Sequence, residues 1–420
     1  MVILGAPAAI LRAGCAGRTC PEAAPPPAPA PFCGLPAANR ALVDAGYREG
    51  RSPDVLASVA QGSVVNDPDS SVARKPWPDL DPGSTRVPIV FVGEDIGARQ
   101  LPDDTGLDRI APTLARSIGV DLIPRVRSGR PLPNVGSADT IEVVAIVVWK
   151  GVGTRDLEAS PNDWPWLARA IERGAATLEG RTGSLPVDPI AGVATIGTGG
   201  LPSYHGVTGR LVRDEDGRVV RAMAPGAPIP VIATLAEAWD EKAHQGASIG
   251  LIGGDVGDRA LIGGDWYVGS DDDDVSLSGV DPVSFVRRFV ATNLGPSGGL
   301  IGVVLDGPIA RMDATTRSIV RALEGGPPAT VAVAGTGSLR TQHPVTIADD
   351  VAGAVDGSLG TDIVEAVGSG GFFLDTDVAS AAGIGVDQVA DVMRAMNASD
   401  GSSLFADAYA GFSISLARYC

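Results

Sequence analysis

Histidine is scarce in this 420-residue chain, with only His205, His244 and His343 present. A zinc or two-metal centre assembled in the usual way on imidazoles is thereby excluded. Cysteine is nearly as rare: Cys15, Cys20, Cys33 and Cys420 all lie near the two ends, and their spacing fits no zinc pattern. Pairing among them in an oxidising compartment and four free thiols in a cytoplasmic protein both fit that distribution. Basic residues are outnumbered, 33 Lys and Arg against 50 Asp and Glu, for a net charge of −17. So acidic a surface repels nucleic acid and anionic membranes, which leaves small molecules and other proteins as partners. No apolar run reaches the roughly 18 to 20 residues of a membrane-spanning helix.

The first residues, MVILGAPAAILRAGC, are apolar but carry no basic residue ahead of the apolar run, and Arg12 interrupts it. A cytoplasmic location is therefore expected over export. Residues 21–31, PEAAPPPAPAP, form a Pro/Ala tract in which proline removes backbone donors and fixes φ, so residues 1–32 read as an apolar start and a linker.

Beyond residue 32 the composition, 44% hydrophobic with 55 Gly and 33 Pro, suits a globular chain with many short loops. Short β-rich runs (VPIVFVG at 87, IEVVAIVVW at 141, IGVVLDG at 301, ATVAVAG at 329) alternate with helical patterns such as WPWLARAIERGAATL and DATTRSIVRALEG. Uninterrupted apolar strands separated by helices predict an α/β fold with a mostly parallel central sheet covered on both faces. Two stretches, LIGGDVGD at 251 and LIGGDWYV at 261, repeat one pattern and precede the acidic run Asp271 to Asp274. The spacing of an EF-hand loop is missing, so the run reads as a solvated hairpin tip. Phe372 and Phe373 read as core, and FADAYAGFSISLARYC as a closing strand on a sheet edge.

The most informative segment is SLPVDPIAGVATIGTGGLPSYHGVTG, residues 184–209. Its Thr198, Gly199, Pro202, His205 and Gly206 form a "TG, two residues, P, two residues, HG" signature that resembles the alkaline phosphatase superfamily, especially its nucleotide pyrophosphatase and phosphodiesterase branch. That resemblance implies a three-layer α/β sandwich. Residues 141–420 then supply the front of the fold. Residues 33–135, with RSPDVLASVAQGSVV, VPIVFVGEDIG and LDRIAPTLARSIGV, supply its back, so one domain is built in circularly permuted order. The arrangement requires Cys420 to lie close to Cys33.

The resemblance also implies a Thr or Ser nucleophile and two metal ions with about six ligands. Most of those positions are changed. The opening-strand aspartate falls on Lys150. The "D, three residues, H" pair keeps Asp306 but has Ala310, the Asp-His-Gly triplet reads Gly335, Thr336, Gly337, and no histidine precedes VPIVF. The nucleophile position falls on Pro189, with Asp188 beside it and Ser184 five residues upstream.

The expectation is therefore a scaffold that has lost most metal ligands and serves as a non-catalytic ligand-binding or assembly protein. Lys150, Asp306 and Thr336 would line its cleft, Lys150 would pair with Asp306 or hold a small anionic ligand, and no cofactor would be bound. Two alternatives stand beside it. One is an active phosphodiesterase or phosphatase with Asp188 or Ser184 as nucleophile, Lys150 neutralising phosphate and Asp306 holding a zinc or magnesium ion. The other is an unrelated nucleotide-binding α/β protein using GTGG at 197 or GTGS at 335, although neither matches a P-loop or dinucleotide fingerprint.

Overall fold

The computed structural model describes residues 31–60, 64–66, 82–93, 96–136, 142–263, 274–277, 279–339, 345–368, 370–398, 401–416 and 420. Most of the apolar start and Pro/Ala tract, with Cys15, Cys20, His343 and residues 271–273, lie outside them.

The strands in chain order are β1 (Val55–Val59), β2 (Val64–Asn66), β3 (Arg86–Gly93), β4 (Arg99–Gln100), β5 (Val143–Trp149), β6 (Ala175–Arg181), β7 (Leu211–Arg213), β8 (Val219–Arg221), β9 (Ser248–Ile252), β10 (Asp274–Ser276), β11 (Gly299–Leu305), β12 (Ala329–Gly335), β13 (Val345–Ile347), β14 (Val364–Gly368), β15 (Gly371–Leu374) and β16 (Phe405–Ala410). Eight of them form the central sheet in the order β10-β9-β11-β5-β12-β3-β6-β4. Only β3 runs against the others, pairing antiparallel with β12 and β6.

The apolar runs read from the sequence become the middle of this sheet, and all seven residues of β5 and of β11 are buried. Successive side chains point to opposite faces, so each central strand feeds two cores. Val144, Ile146 and Val148 join Ile110, Leu114, Val193 and Leu235 on one face. Val143, Ala145, Val147 and Trp149 join Leu167, Phe285, Met312 and Ile319 on the other. Helices Ile110–Ser117, Pro189–Thr198 and Leu235–Lys242 cover the first face; Pro165–Arg173, Pro282–Thr292 and Ile309–Leu323 cover the second. The result is a three-layer α/β arrangement, as expected. Each fully buried Val, Leu or Ile contributes about 1.5–3 kcal/mol relative to an exposed one.

β9 and β10 are parallel neighbours, and Asp271 to Asp273 of the acidic run, where a hairpin tip is expected, lie outside the described residues. β1 departs from a single-sheet reading. It lies in a second, antiparallel sheet in the order β14-β15-β1-β16, where Phe405–Ala410 of the expected closing strand pairs at the edge against β1, while Gly411–Ser415 of the same stretch is helical. Helices Ala348–Leu359, Thr376–Ala382 and Val386–Arg394 accompany this sheet, and Val351, Val355, Phe372, Val389 and Met393 pack with its strands into a separate core. Phe372 and Phe373 are both fully buried. The chain ends meet: Cys33 and Cys420 are disulfide-bonded with their Cα atoms 5.3 Å apart.

Ile146 has no exposure and sits mid-strand between β11 and β12. Ile146→Ala is expected to destabilise the chain by about 2–5 kcal/mol through lost transfer energy and a residual cavity, as measured by urea denaturation.

Candidate functional site at the carboxyl edge of the sheet

Three of the residues singled out in the sequence follow directly on adjacent parallel strands. Trp149, the last residue of β5, is in register with Leu305 of β11 and Gly335 of β12. Lys150, Asp306 and Thr336 therefore emerge side by side at the carboxyl edge, where open α/β sheets place their ligands. The fourth, Asp188, arrives on the helix Pro189–Thr198, whose Gly192 lies against Thr336: a methyl there would come within 3.0 Å of Thr336 Cβ. Ser184 is buried four residues ahead of Asp188, and its carbonyl accepts from Thr182 Oγ1 at 3.2 Å.

The side chains of these residues are differently employed. Lys150 does not pair with Asp306, which is exposed. Its Nζ donates to Asp258 Oδ1 at 2.6 Å, and the two side chains are only 5% and 0% exposed. The other carboxylate oxygen of Asp258 accepts the backbone N–H groups of Gly254 at 2.9 Å and Asp255 at 3.0 Å. Burial pushes the Asp258 carboxyl above the usual carboxylate range, while Lys150 and the two N–H donors pull it back. Asp258 is the final residue of LIGGDVGD, which follows β9, the strand next to β11. A Gly-Gly-Asp turn leaving a buried parallel strand is the signal that points to this edge, and the repeated LIGGD pattern by itself assigns no role to Asp258.

Asp188 caps its helix. Oδ1 accepts from Ile190 N–H at 2.7 Å and Ala191 N–H at 3.1 Å, and Oδ2 from Arg210 N–H at 3.3 Å. Pro189 at the first helical position needs no donor, which suits this start. A carboxylate gripped by three backbone donors is stabilised as a cap and poorly placed to attack an ester. Thr336 is likewise occupied, its Oγ1 accepting from Gly151 N–H at 2.8 Å. Among the described residues no group of three or more His, Cys, Asp or Glu side chains is arranged to hold a metal ion.

The signature itself is a turn device. Thr198 ends the helix, and Gly199 and Gly206 take left-handed φ values of 72° and 78°, conformations that side chains resist. His205 is fully buried between them. Its Nδ1 accepts from Val207 N–H at 3.1 Å, which leaves Nε2 to carry the proton and donate to Thr195 Oγ1, also at 3.1 Å. Burial, aided by the Arg48 charge, lowers its pKa to about 3. The segment 107–120 packs on the same turn, with Gly199 against Pro112 and its carbonyl accepting from Gly129 N–H at 3.1 Å. Arg127, also buried, donates to Thr198 O at 2.7 Å and Ala233 O at 2.6 Å, tying the turn to its neighbours.

A cavity of about 420 Å³ lined by Val320, Leu323, Pro327, Pro328 and Ala329 lies at the opposite, amino edge of β12, away from all of these residues.

The fold and this edge define a three-layer α/β protein whose strand-end lysine is internally neutralised by Asp258. No family model matches the chain, and no curated protein matches it. Among solved structures it is similar to a phosphonoacetate hydrolase from Sinorhizobium meliloti 1021, in complex with phosphonoacetate. The identity is 17% and the TM-score 0.36, over 59% of this chain and 66% of that one. A likeness of that extent assigns neither an activity nor a ligand.

Two outcomes follow from these contacts. Lys150→Met leaves the Asp258 carboxylate buried without its ammonium and is expected to cost about 3–5 kcal/mol, with Lys150→Met/Asp258→Asn costing less than the two single changes summed, in urea titrations. His205 gains its proton near pH 6.5 in the unfolded chain but only near 3 when folded. The unfolded state therefore binds more protons throughout that window, and stability falls as pH falls through it. Between pH 6.5 and 4.5 the wild type should lose about 2–3 kcal/mol more than His205→Gln, measured by urea denaturation at each pH.

Proposed function

We propose that the chain is an alkaline phosphatase-like scaffold, built in permuted order, that has given up metal-dependent phosphoester hydrolysis and acts as a non-catalytic binding or assembly protein. The observation that carries this reading is the buried Lys150–Asp258 pair. The resemblance puts a metal-binding carboxylate at position 150. An ammonium there repels a divalent cation, and because the ammonium is itself neutralised by Asp258, the position also offers little free charge to a phosphate.

Two further observations support the permuted order. The residues resembling the back of the fold reach the signature turn through Pro112 and Gly129, and Cys33 and Cys420 meet at 5.3 Å, as rejoining the unpermuted ends requires. The commitment of Asp188 to its helix N-terminus weighs against a rebuilt nucleophile.

The test is metal content and turnover of the purified full chain. Elemental analysis after dialysis should find far less than one zinc or magnesium ion per chain, and a chromogenic phosphodiester should be hydrolysed no faster than in buffer. Two stoichiometric divalent ions, or hydrolysis that disappears in Asp306→Ala, would overturn the proposal in favour of an active phosphoric ester hydrolase.

A further inference from the structure

The segments flanking the disulfide do more than join two ends. Phe32 is fully buried with its ring edge-on to Tyr409, centroids 5.5 Å apart. Together with Val43, Leu56 and Ile414 these rings form a small core whose remaining members are Leu185 and Val187. Those two residues belong to the loop 184–188 that delivers Asp188 to its helix.

The helix Ala37–Gly46 also grips this loop through the backbone. Leu185 N–H donates to Leu42 O at 2.9 Å, and Gly46 approaches so closely that a side chain there would run into the Leu185 carbonyl. On the other side, the helix Gly411–Ser415 starts where Gly411 N–H donates to Asp54 O at 2.7 Å. Both chain ends therefore press on one loop of the carboxyl edge, and a covalent bond holds them together.

We propose that Cys33–Cys420 is a redox-sensitive clasp that sets the order of the site loop 184–191. The bond is reachable, since Cys420 is exposed and Cys33 only half-buried. A dithiol reductant cleaves it by thiol–disulfide exchange: the attacking dithiol gives up two electrons and two protons and becomes a disulfide, and Cys33 and Cys420 become thiols.

What then holds residues 32–46 and 411–416 on the loop is the small core around Phe32 and the Leu185–Leu42 and Gly411–Asp54 hydrogen bonds, while β16 stays paired with β1, and units with few buried contacts open first. The two large cores on the central sheet contain no residue from either end segment, so they stay closed when the clasp opens. The inference goes beyond the proposed function and does not depend on it, because it concerns the order of the loop whether or not the edge binds or turns over anything.

The experiment is hydrogen exchange with peptide mapping on the full chain in three states: oxidised, reduced with dithiothreitol, and as Cys33→Ser or Cys420→Ser. A non-reducing map should show Cys33 linked to Cys420. Exchange of amides 185–191 should rise about tenfold or more on reduction and in both variants, while β5 and β11 keep their protection. Three results would overturn the proposal: Cys33 linked to Cys15 or Cys20 instead, unchanged exchange at 185–191, or an equal rise in β5 and β11, which would make the bond a global staple. The serine variants separate the effect of this bond from reduction of the other cysteines.

Discussion

Lys150 and Asp258 are both withdrawn from water, and each is tolerable there only because of the other. An unpaired ammonium or carboxylate at the end of a buried strand would cost several kcal/mol. That requirement shapes the carboxyl edge. The chain leaving β9 turns at once through Gly253 and Gly254, so that Asp258 takes the Lys150 ammonium on one carboxylate oxygen and the N–H groups of Gly254 and Asp255 on the other. The turn at 256–261 is then held against the signature helix, with Gly257 meeting Ile190. The ion pair and the loop built round it thereby add a side-chain link between β5 and the chain after β9, which the sheet already joins through β11, and bring that loop against the helix Pro189–Thr198.

The same edge engages several of its polar side chains with one another and with backbone. In a sheet of this kind the strand ends and the helix N-termini usually leave room and charge for a ligand. Here the helix N-terminus is spent on Asp188, the Thr336 hydroxyl accepts from Gly151, and the Lys150 ammonium is paired with Asp258. Each contact is ordinary by itself. Together they engage Lys150, Asp188 and Thr336, while Asp306 faces solvent.

Much of the architecture was legible in the residue pattern. Apolar runs at 87, 141, 301 and 329 separated by amphipathic helices became β3, β5, β11 and β12 with helices on both faces, because burial on two sides demands such runs. The turn at 198–206 was legible because glycine at two left-handed positions and a histidine between them leave few other conformations. The second sheet was not legible. Its strands come from residues 55–59 and 364–410, and nothing local to Val55–Val59 indicates that its partners lie more than 300 residues away. The parallel pairing of β10 with β9 was not legible for a related reason, since it is a tertiary choice.

The sequence alone placed Lys150, Asp306 and Thr336 just beyond apolar runs that had to be buried, and so at the ends of strands. Only the tertiary structure decided what Lys150 does. Its partner comes from a loop 108 residues further on and not from Asp306 on the adjoining strand. Two side chains at neighbouring strand ends can face water separately, whereas a charge pointing into the packed edge must find its counter-ion wherever the chain returns to the same buried space.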